Sequence, residues 1–333
     1  MSTDSQIKLK KKAVLLSLII GIGLFVAKMG AYFITDSAAI FSDAAESIVN
    51  ILAASMALYS IILSSKPADE SHRYGHGNVE FFSAGFEGML ILTAAIVIIF
   101  QAVTDLIAGP ELKSLNIGVF VIASAGIISL ALGTYLIRTG KKTNSLTLIA
   151  DGKHVLTDSV TSLGVMVGII LVIFTDYVIL DPIMAIIIAL NILYTGYKLI
   201  RESIGGLMME TNPEIIENIS QLLSASRKDH WIDVHELRYW QSGDTIFIDF
   251  HLILPCFFTI EQSHKDEKDI DEKLMSEFAN SQIKIHFDYC VPDLCKFCSY
   301  DKCEVRKEDK TIPFEWDSEK LSGGPVYKLP IKS

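Results

Sequence analysis

The chain has 333 residues, half of them hydrophobic, and a mean hydropathy of +0.39, a balance that is high for a soluble protein and directs attention to long apolar segments. Its formal net charge of -10 argues against a nucleic-acid partner, and the acidic residues fall mostly in the C-terminal part. Neither a nucleophile with a neighbouring base nor a phosphate-binding loop is present as a motif, which leaves an enzyme the least supported class.

Six apolar runs, at 13–35, 38–64, 81–107, 115–137, 146–174 and 179–200, are each long enough to cross the ~30 Å hydrocarbon layer as a helix. Soluble core helices seldom stay apolar beyond ~20 residues without a polar face, so residues 1–208 are expected to form an α-helical domain of six transmembrane helices. The basic start, Lys8 to Lys12, precedes a run too long for a signal peptide and without a small-residue cleavage site; it reads as an uncleaved first helix. Lys8, Lys10, Lys11, Lys12, Lys66, Arg73, Arg138, Lys141, Lys142, Lys198 and Arg201 all fall on one side of such a bundle, against Lys113 on the other. The positive-inside rule then places both termini in the cytoplasm of a multi-pass protein embedded in the lipid bilayer.

Span two carries Glu46 and Asn50, and span five carries His154 and Asp158. Residues four apart share a helix face, so each pair can aim two donor atoms at one point. An ionisable group in a membrane helix costs at least ~2.5–3.5 kcal/mol on insertion scales and normally faces a partner, an ion or water. With the imidazole neutral the four residues carry two negative charges, which a divalent cation would balance in a four-coordinate site. A hydrogen-bond network between helices is the structural alternative; two carboxylates without a cation would repel each other. Because metal ligands must be deprotonated, metal release can be linked to proton uptake by Glu46, His154 or Asp158. Asp43 and Asp151, one turn earlier, are alternative ligands or proton relays, although Asp151 reads more simply as a solvated residue near the interface.

Between spans two and three, Asp69, His72 and His76 combine i+3 and i+4 spacing with a carboxylate, a set adequate for zinc or another borderline divalent ion and equally at home in a hydrated loop. Residues 209–290 read as a small cytoplasmic α+β domain in the order αββαβ: helix from Pro213 to Ser226, strands Ile232 to Tyr239 and Thr245 to Leu254, helix Thr259 to Ala279, strand Gln282 to Phe287. His235 and His251 sit on candidate strands, His264 on the helix, and His286 with Asp288 on the last strand. Alternate strand residues face the same way, so His286 and Asp288 can converge on one metal; separate surface histidines fit the spacing as well. Residues 291–333 read as an irregular tail. The run Cys290-x4-Cys295-x2-Cys298-x4-Cys303 admits a tetrathiolate zinc knuckle, an iron–sulfur centre or unligated reduced thiols, whereas a structural disulfide is disfavoured in the cytosol.

Four segments then stand out together: Ser42-Asp43-Ala44-Ala45-Glu46-Ser47, the stretch Pro67 to Glu80 (PADESHRYGHGNVE), Ala150 to Asp158 (ADGKHVLTD), and Val234 to Leu252 (VHELRYWQSGDTIFIDFHL). Over about residues 10 to 290 the chain resembles the cation diffusion facilitator family of divalent metal transporters, in particular its bacterial zinc and ferrous-iron efflux branch. The resemblance implies a homodimer in the bacterial inner membrane whose cytoplasmic domains pair, and alternating access that exchanges cytosolic Zn2+, Fe2+ or a similar first-row ion for external protons. By position it implies a transport site at Glu46, Asn50, His154 and Asp158 and a loop site at Asp69, His72 and His76. It also implies a binuclear cytoplasmic site at His235, His251, His264, His286 and Asp288, holding structural zinc or another divalent first-row metal that braces the dimer. Three features depart from the branch. Two aspartates usually occupy the places of Glu46 and Asn50, a lysine and an acidic residue those of Asn78 and Met209, and the four-cysteine tail is an addition. A different class of function, a membrane-anchored metal sensor or storage protein, would use the cytoplasmic domain and the cysteines.

Overall fold

A computed structural model of the chain describes residues 3–35, 38–108, 118–175 and 179–326 and divides after Met208 into two compact units. The first holds six long helices: α1 (Thr3–Thr35), α2 (Ala38–Ser64), α3 (Val79–Ala108), α4 (Gly118–Thr143), α5 (Leu146–Thr175) and α6 (Leu180–Leu207). Within them Ser5–Gly30, Ser47–Ser64, Val79–Thr104 and Pro182–Leu207 are apolar and long enough to cross a membrane. Large apolar side chains such as Val26, Phe33, Phe100 and Ile107 point outward, as a lipid-facing surface requires.

Small residues set the packing inside the bundle. A Cβ on Gly133 of α4 would stand 2.9 Å from the carbonyl oxygen of Gly152 on α5, and one on Gly152 would stand 2.9 Å from that of Gly133. Gly88 on α3 and Gly196 on α6 repeat the arrangement at 3.2 and 3.1 Å. Glycine at these four positions lets the backbones touch, the usual solution where hydrophobic burial gives helices no reason to associate. α5 lies at the junction, packing on α4, α6 and α3.

Helix α1 begins ten residues before its apolar run, at Thr3. Lysine and glutamine are good helix formers, so the basic segment simply continues the helix. One of its charges is not solvated. Lys10 is buried with its Nζ 3.4 Å from Glu80 Oε1 on α3, and Glu80 also accepts from Ser64 Oγ (3.1 Å) and Ser145 Oγ (2.5 Å), so one carboxylate ties α1, α2 and α3 to the turn before α5.

The second unit contains α7 (Pro213–Ala225), β1 (Asp233–Ser242), β2 (Thr245–Leu254), α8 (Ile260–Glu277), β3 (Ser281–Tyr289) and a short α9 (Ser318–Ser322). Asn212 caps α7, with Pro213 at its first turn, and Thr259 and Gln262 form a capping box on α8. The sheet runs β1-β2-β3, antiparallel then parallel, with α8 as the crossover between β2 and β3. Ile248, Phe250, Leu252 and Leu254 of β2 alternate toward α7 and α8, meeting Ile219, Leu223, Ile270 and Leu274 in the main core. The intervening positions, Asp249, His251 and Ile253, necessarily point to the opposite face.

Residues 291–326 are packed into this unit instead of trailing from it. Leu294, Phe297 and Cys298 bury against Ile232, Ile253 and Val326, while Trp316 and Leu321 enter the main core. The Arg227 guanidinium sits over the rings of Phe314 and Trp316, 4.7 and 4.4 Å from their centroids. Lys320 Nζ lies 2.6 Å from buried Asp233 and donates to the Val234 carbonyl. Aromatic residues dispersed through a charged sequence carry no periodicity, which is why the segment reads as irregular until its partners are in place.

Candidate metal centres

In the helical unit, α2 and α5 bring Asn50, His154 and Asp158 together. Asn50 Oδ1 lies 2.9 Å from His154 Nε2, and Asn50 Nδ2 donates to Asp158 Oδ2. The carboxylate can only accept, so it orients the amide: nitrogen toward Asp158, oxygen toward the imidazole, whose Nε2 then carries the proton. His154 is buried, and Asn50 and Asp158 are partly so. Glu46 lies on α2 one turn before Asn50 but outside the residues whose side chains are described, as does Asp43.

The connection between α2 and α3 gathers its three predicted ligands. Asp69 Oδ1 is 3.4 Å from His72 Nδ1, Asp69 Oδ2 is 3.3 Å from His76 Nε2, and the two imidazole centroids are 4.4 Å apart. Gly75, at φ +82, supplies the turn that returns His76 toward Asp69. Asp69 Oδ1 also accepts from the backbone N–H groups of Ser71 and His72, and these bonds together with the Ser71 hydroxyl hold its carboxyl down at about 2. One ligand atom from each residue fits within 4.8 Å of the others, a spacing that a single divalent ion can bridge.

On the sheet, the strand register places three histidines in one row. His235 of β1 pairs with His251 of β2, and His251 pairs with His286 of β3. The adjacent ring centroids are 4.9 and 4.5 Å apart. Asp288, two residues beyond His286 on the same face, lies 2.9 Å from His251 Nδ1, 3.7 Å from His235 Nε2 and 3.5 Å from His286 Nε2. A bulge between His235 and Arg238, with Glu236 at φ 52, adjusts β1 here, and the Glu236 N–H is held by the Gly323 carbonyl at 2.8 Å. Burial pushes the His235 imidazole below its ordinary range, favouring the neutral, ligating form. His264 does not join the group within this chain; it is exposed on α8, its Nδ1 2.7 Å from Glu267.

Residues 14–208 match the model of the cation efflux transmembrane domain, and residues 211–290 that of the cation efflux protein cytoplasmic domain. The chain belongs to the cation diffusion facilitator family. It is 34% identical to an uncharacterized transporter of Synechocystis over 78% of this chain and 84% of that one. It is 28% identical to the manganese efflux system protein MneP of Bacillus subtilis (84% and 96% covered) and 28% identical to the cation-efflux pump FieF of Cronobacter sakazakii (85% and 94%). As a cation diffusion facilitator it is a multi-pass membrane protein and a cation efflux transporter, with its polar cytoplasmic domain after α6.

Of two buried carboxylates in the bundle of this cation diffusion facilitator, the sequence offers Asp151 as an alternative ligand or proton relay and does not single out Glu87. Asp151, expected near the interface as a solvated residue, is 1% exposed, and Glu87 of α3 is fully buried. Their charges interact with each other, and Asp151 also feels His154 one turn along α5. A glutamate in the middle of an apolar span is itself the signal that would have found Glu87. The four cysteines at 290, 295, 298 and 303 lie in the second unit, all free: Cys290 just after β3, Cys295 and Cys298 in and at the end of the following turn, and Cys303 beyond it.

Proposed function

We propose that the protein exports Zn2+, Fe2+ or a similar first-row divalent cation across the bacterial inner membrane, as a homodimer with both termini cytoplasmic, in exchange for protons. The observation that carries this reading is the meeting of Asn50, His154 and Asp158 between α2 and α5. Nitrogen and oxygen donors of this kind suit Zn2+, Fe2+, Co2+ and Mn2+, and geometry decides among them. Glu46 completes the proposed set of four ligands.

Exchange would come from the protonation of the ligands. A neutral His154 binds a cation through Nε2 by carrying its one proton on Nδ1, and Asp158 must give up the Asn50 amide. Metal entry discharges a proton when it displaces one from a doubly protonated His154 or a protonated Glu46 or Asp158 carboxyl, and reprotonation of those groups favours metal release on the opposite side. Glu87 and Asp151 support the proton half of this scheme. Two interacting carboxylates buried in a membrane bundle are poor places for two negative charges and good places to hold a proton. Alternating access then requires α2 and α5 to expose the site to either side in turn. The histidine row with Asp288, and the Asp69 loop, are proposed as cytoplasmic structural or sensing sites outside the transport path.

Reconstitution into proteoliposomes tests the reading: uptake of at least one of Zn2+, Fe2+, Co2+ or Mn2+ under an imposed pH gradient is expected, and uptake of none of them would overturn it.

A further inference from the structure

The cysteine segment has no place in the transport scheme and after Cys290 lies beyond the residues matched by the cytoplasmic-domain model, yet its surroundings are built. Cys290 follows the last residue of β3. Cys295 lies in a 3-10 turn, Pro292–Phe297, and the Cys298 N–H closes onto the Cys295 carbonyl at 3.1 Å, so the two thiols of the C-x-x-C step are presented by one tight turn. Leu294 and Phe297, 1% and 3% exposed, anchor that turn on Ile232 and Ile253 of the sheet. All four cysteines, with Ile232 and Arg306 among their neighbours, line a single small cavity.

Two of the sulfurs accept backbone N–H groups, while burial pushes the Cys290 and Cys298 thiols up. The Lys307 N–H donates to Cys295 Sγ and the Cys256 N–H to Cys290 Sγ, each at 3.4 Å. Arg306 Nη1 and Nη2 reach the carbonyls of Cys295, Cys298 and Tyr300, at 2.8 to 3.4 Å, which folds the 299–306 segment back over the cavity and sets a fixed positive charge beside Cys298. Cys298 interacts electrostatically with Cys295, Cys303 and Cys290. No three of the sulfurs are within 4.8 Å of one another among the described residues, so full coordination requires both the turn that carries Cys295 and Cys298 and the 299–306 segment to rearrange about the cavity.

We infer that Cys290, Cys295, Cys298 and Cys303 form a tetrathiolate site for one soft divalent cation, Zn2+ or Cd2+, that fastens the C-terminal segment to the sheet beside the histidine row. Four thiolates and a divalent ion carry a net charge of about -2, which Arg306 and the two backbone N–H groups offset in part. Sulfur ligands select a softer ion than the nitrogen and oxygen donors in the bundle, so the two sites differ in preference. Cys256 is outside the set: it is exposed and does not line the cavity, although both its backbone N–H and its thiol meet Cys290.

Full-length protein purified under reducing conditions, stripped with chelator and reloaded with Zn2+, tests the site by pulse alkylation and mass spectrometry. The four cysteines are expected to become at least tenfold slower to alkylate while Cys256 stays reactive. Co2+ in place of Zn2+ is expected to give the near-ultraviolet thiolate-to-metal charge-transfer band, weakened in Cys303→Ser and in Cys295→Ser, variants chosen because neither thiol is fully buried. Unchanged alkylation of the four thiols with Zn2+, a disulfide among them in protein kept reduced, or bound iron with inorganic sulfide would each overturn the assignment.

Discussion

Asn50 and His154, on different helices, meet with Oδ1 and Nε2 2.9 Å apart, and the same amide reaches Asp158 through its nitrogen. Asn50 thus connects an imidazole and a carboxylate that one divalent ion would otherwise hold together. Replacing it with leucine removes a carbonyl ligand and the hydrogen bonds to both neighbours; metal affinity is expected to fall at least tenfold, or ~1.4 kcal/mol. Asn50→Asp adds a negative charge and is expected to keep transport while shifting preference among Zn2+, Fe2+ and Mn2+. Competition uptake assays on the two variants check both statements.

The Lys10–Glu80 pair is buried on both sides, so removing one partner takes away a close counter-charge in a buried site. Glu80→Gln is expected to cost ~3–5 kcal/mol, whereas Lys10→Met with Glu80→Leu recovers much of that loss. Thermal unfolding in detergent, arranged as a double-mutant cycle, measures the coupling.

Close approach of α4 and α5 depends on Gly133 and Gly152. Gly133→Ala is expected to destabilise the bundle by about 1–3 kcal/mol, since the new methyl meets a carbonyl oxygen at 2.9 Å. Gly23→Ala on α1 meets nothing within 4 Å and is expected to be neutral or stabilising by up to ~1 kcal/mol. The melting temperature should fall in Gly133→Ala and hold or rise in Gly23→Ala.

The histidine row gives the second unit a pH dependence of definite sign. His235 titrates below its ordinary 6.5 because it is buried, so the folded state binds fewer protons than the unfolded chain just below that pH. Its contribution to stability is complete above 6.5 and is lost as pH falls through the window beneath. Trp231, Trp240 and Trp316, the three tryptophans of the chain, all lie in this unit, so intrinsic fluorescence reports it selectively. The fluorescence-detected midpoint of metal-free full-length protein is expected to be lower at pH 5.5 than at 7.5, with a smaller difference in His235→Gln.

Much of this architecture is readable from spacing. Apolar runs outline α1 to α6, and strand alternation separates His251 from Phe250 and Leu252, because period and burial are local properties. The i, i+4 pairs identify which face of α2 and α5 carries donors. What spacing cannot supply is the partner across the fold. Lys10 reads as a solvated charge until Glu80 arrives from α3, and Asp151 reads as interfacial until Glu87 and the glycine contacts enclose it. The row His235, His251 and His286 depends on the register of three strands, one of them reached through α8. Trp316 and Leu321 are core residues only because Arg227 and β1 provide the surface they cover.

The most direct test is simultaneous recording of metal and proton flux in proteoliposomes. Wild-type protein is expected to move metal one way and protons the other, with both fluxes falling to background in His154→Ala with Asp158→Ala and persisting in His251→Ala with Asp288→Ala. Undiminished metal flux in the first double variant would contradict the assignment of the transport site.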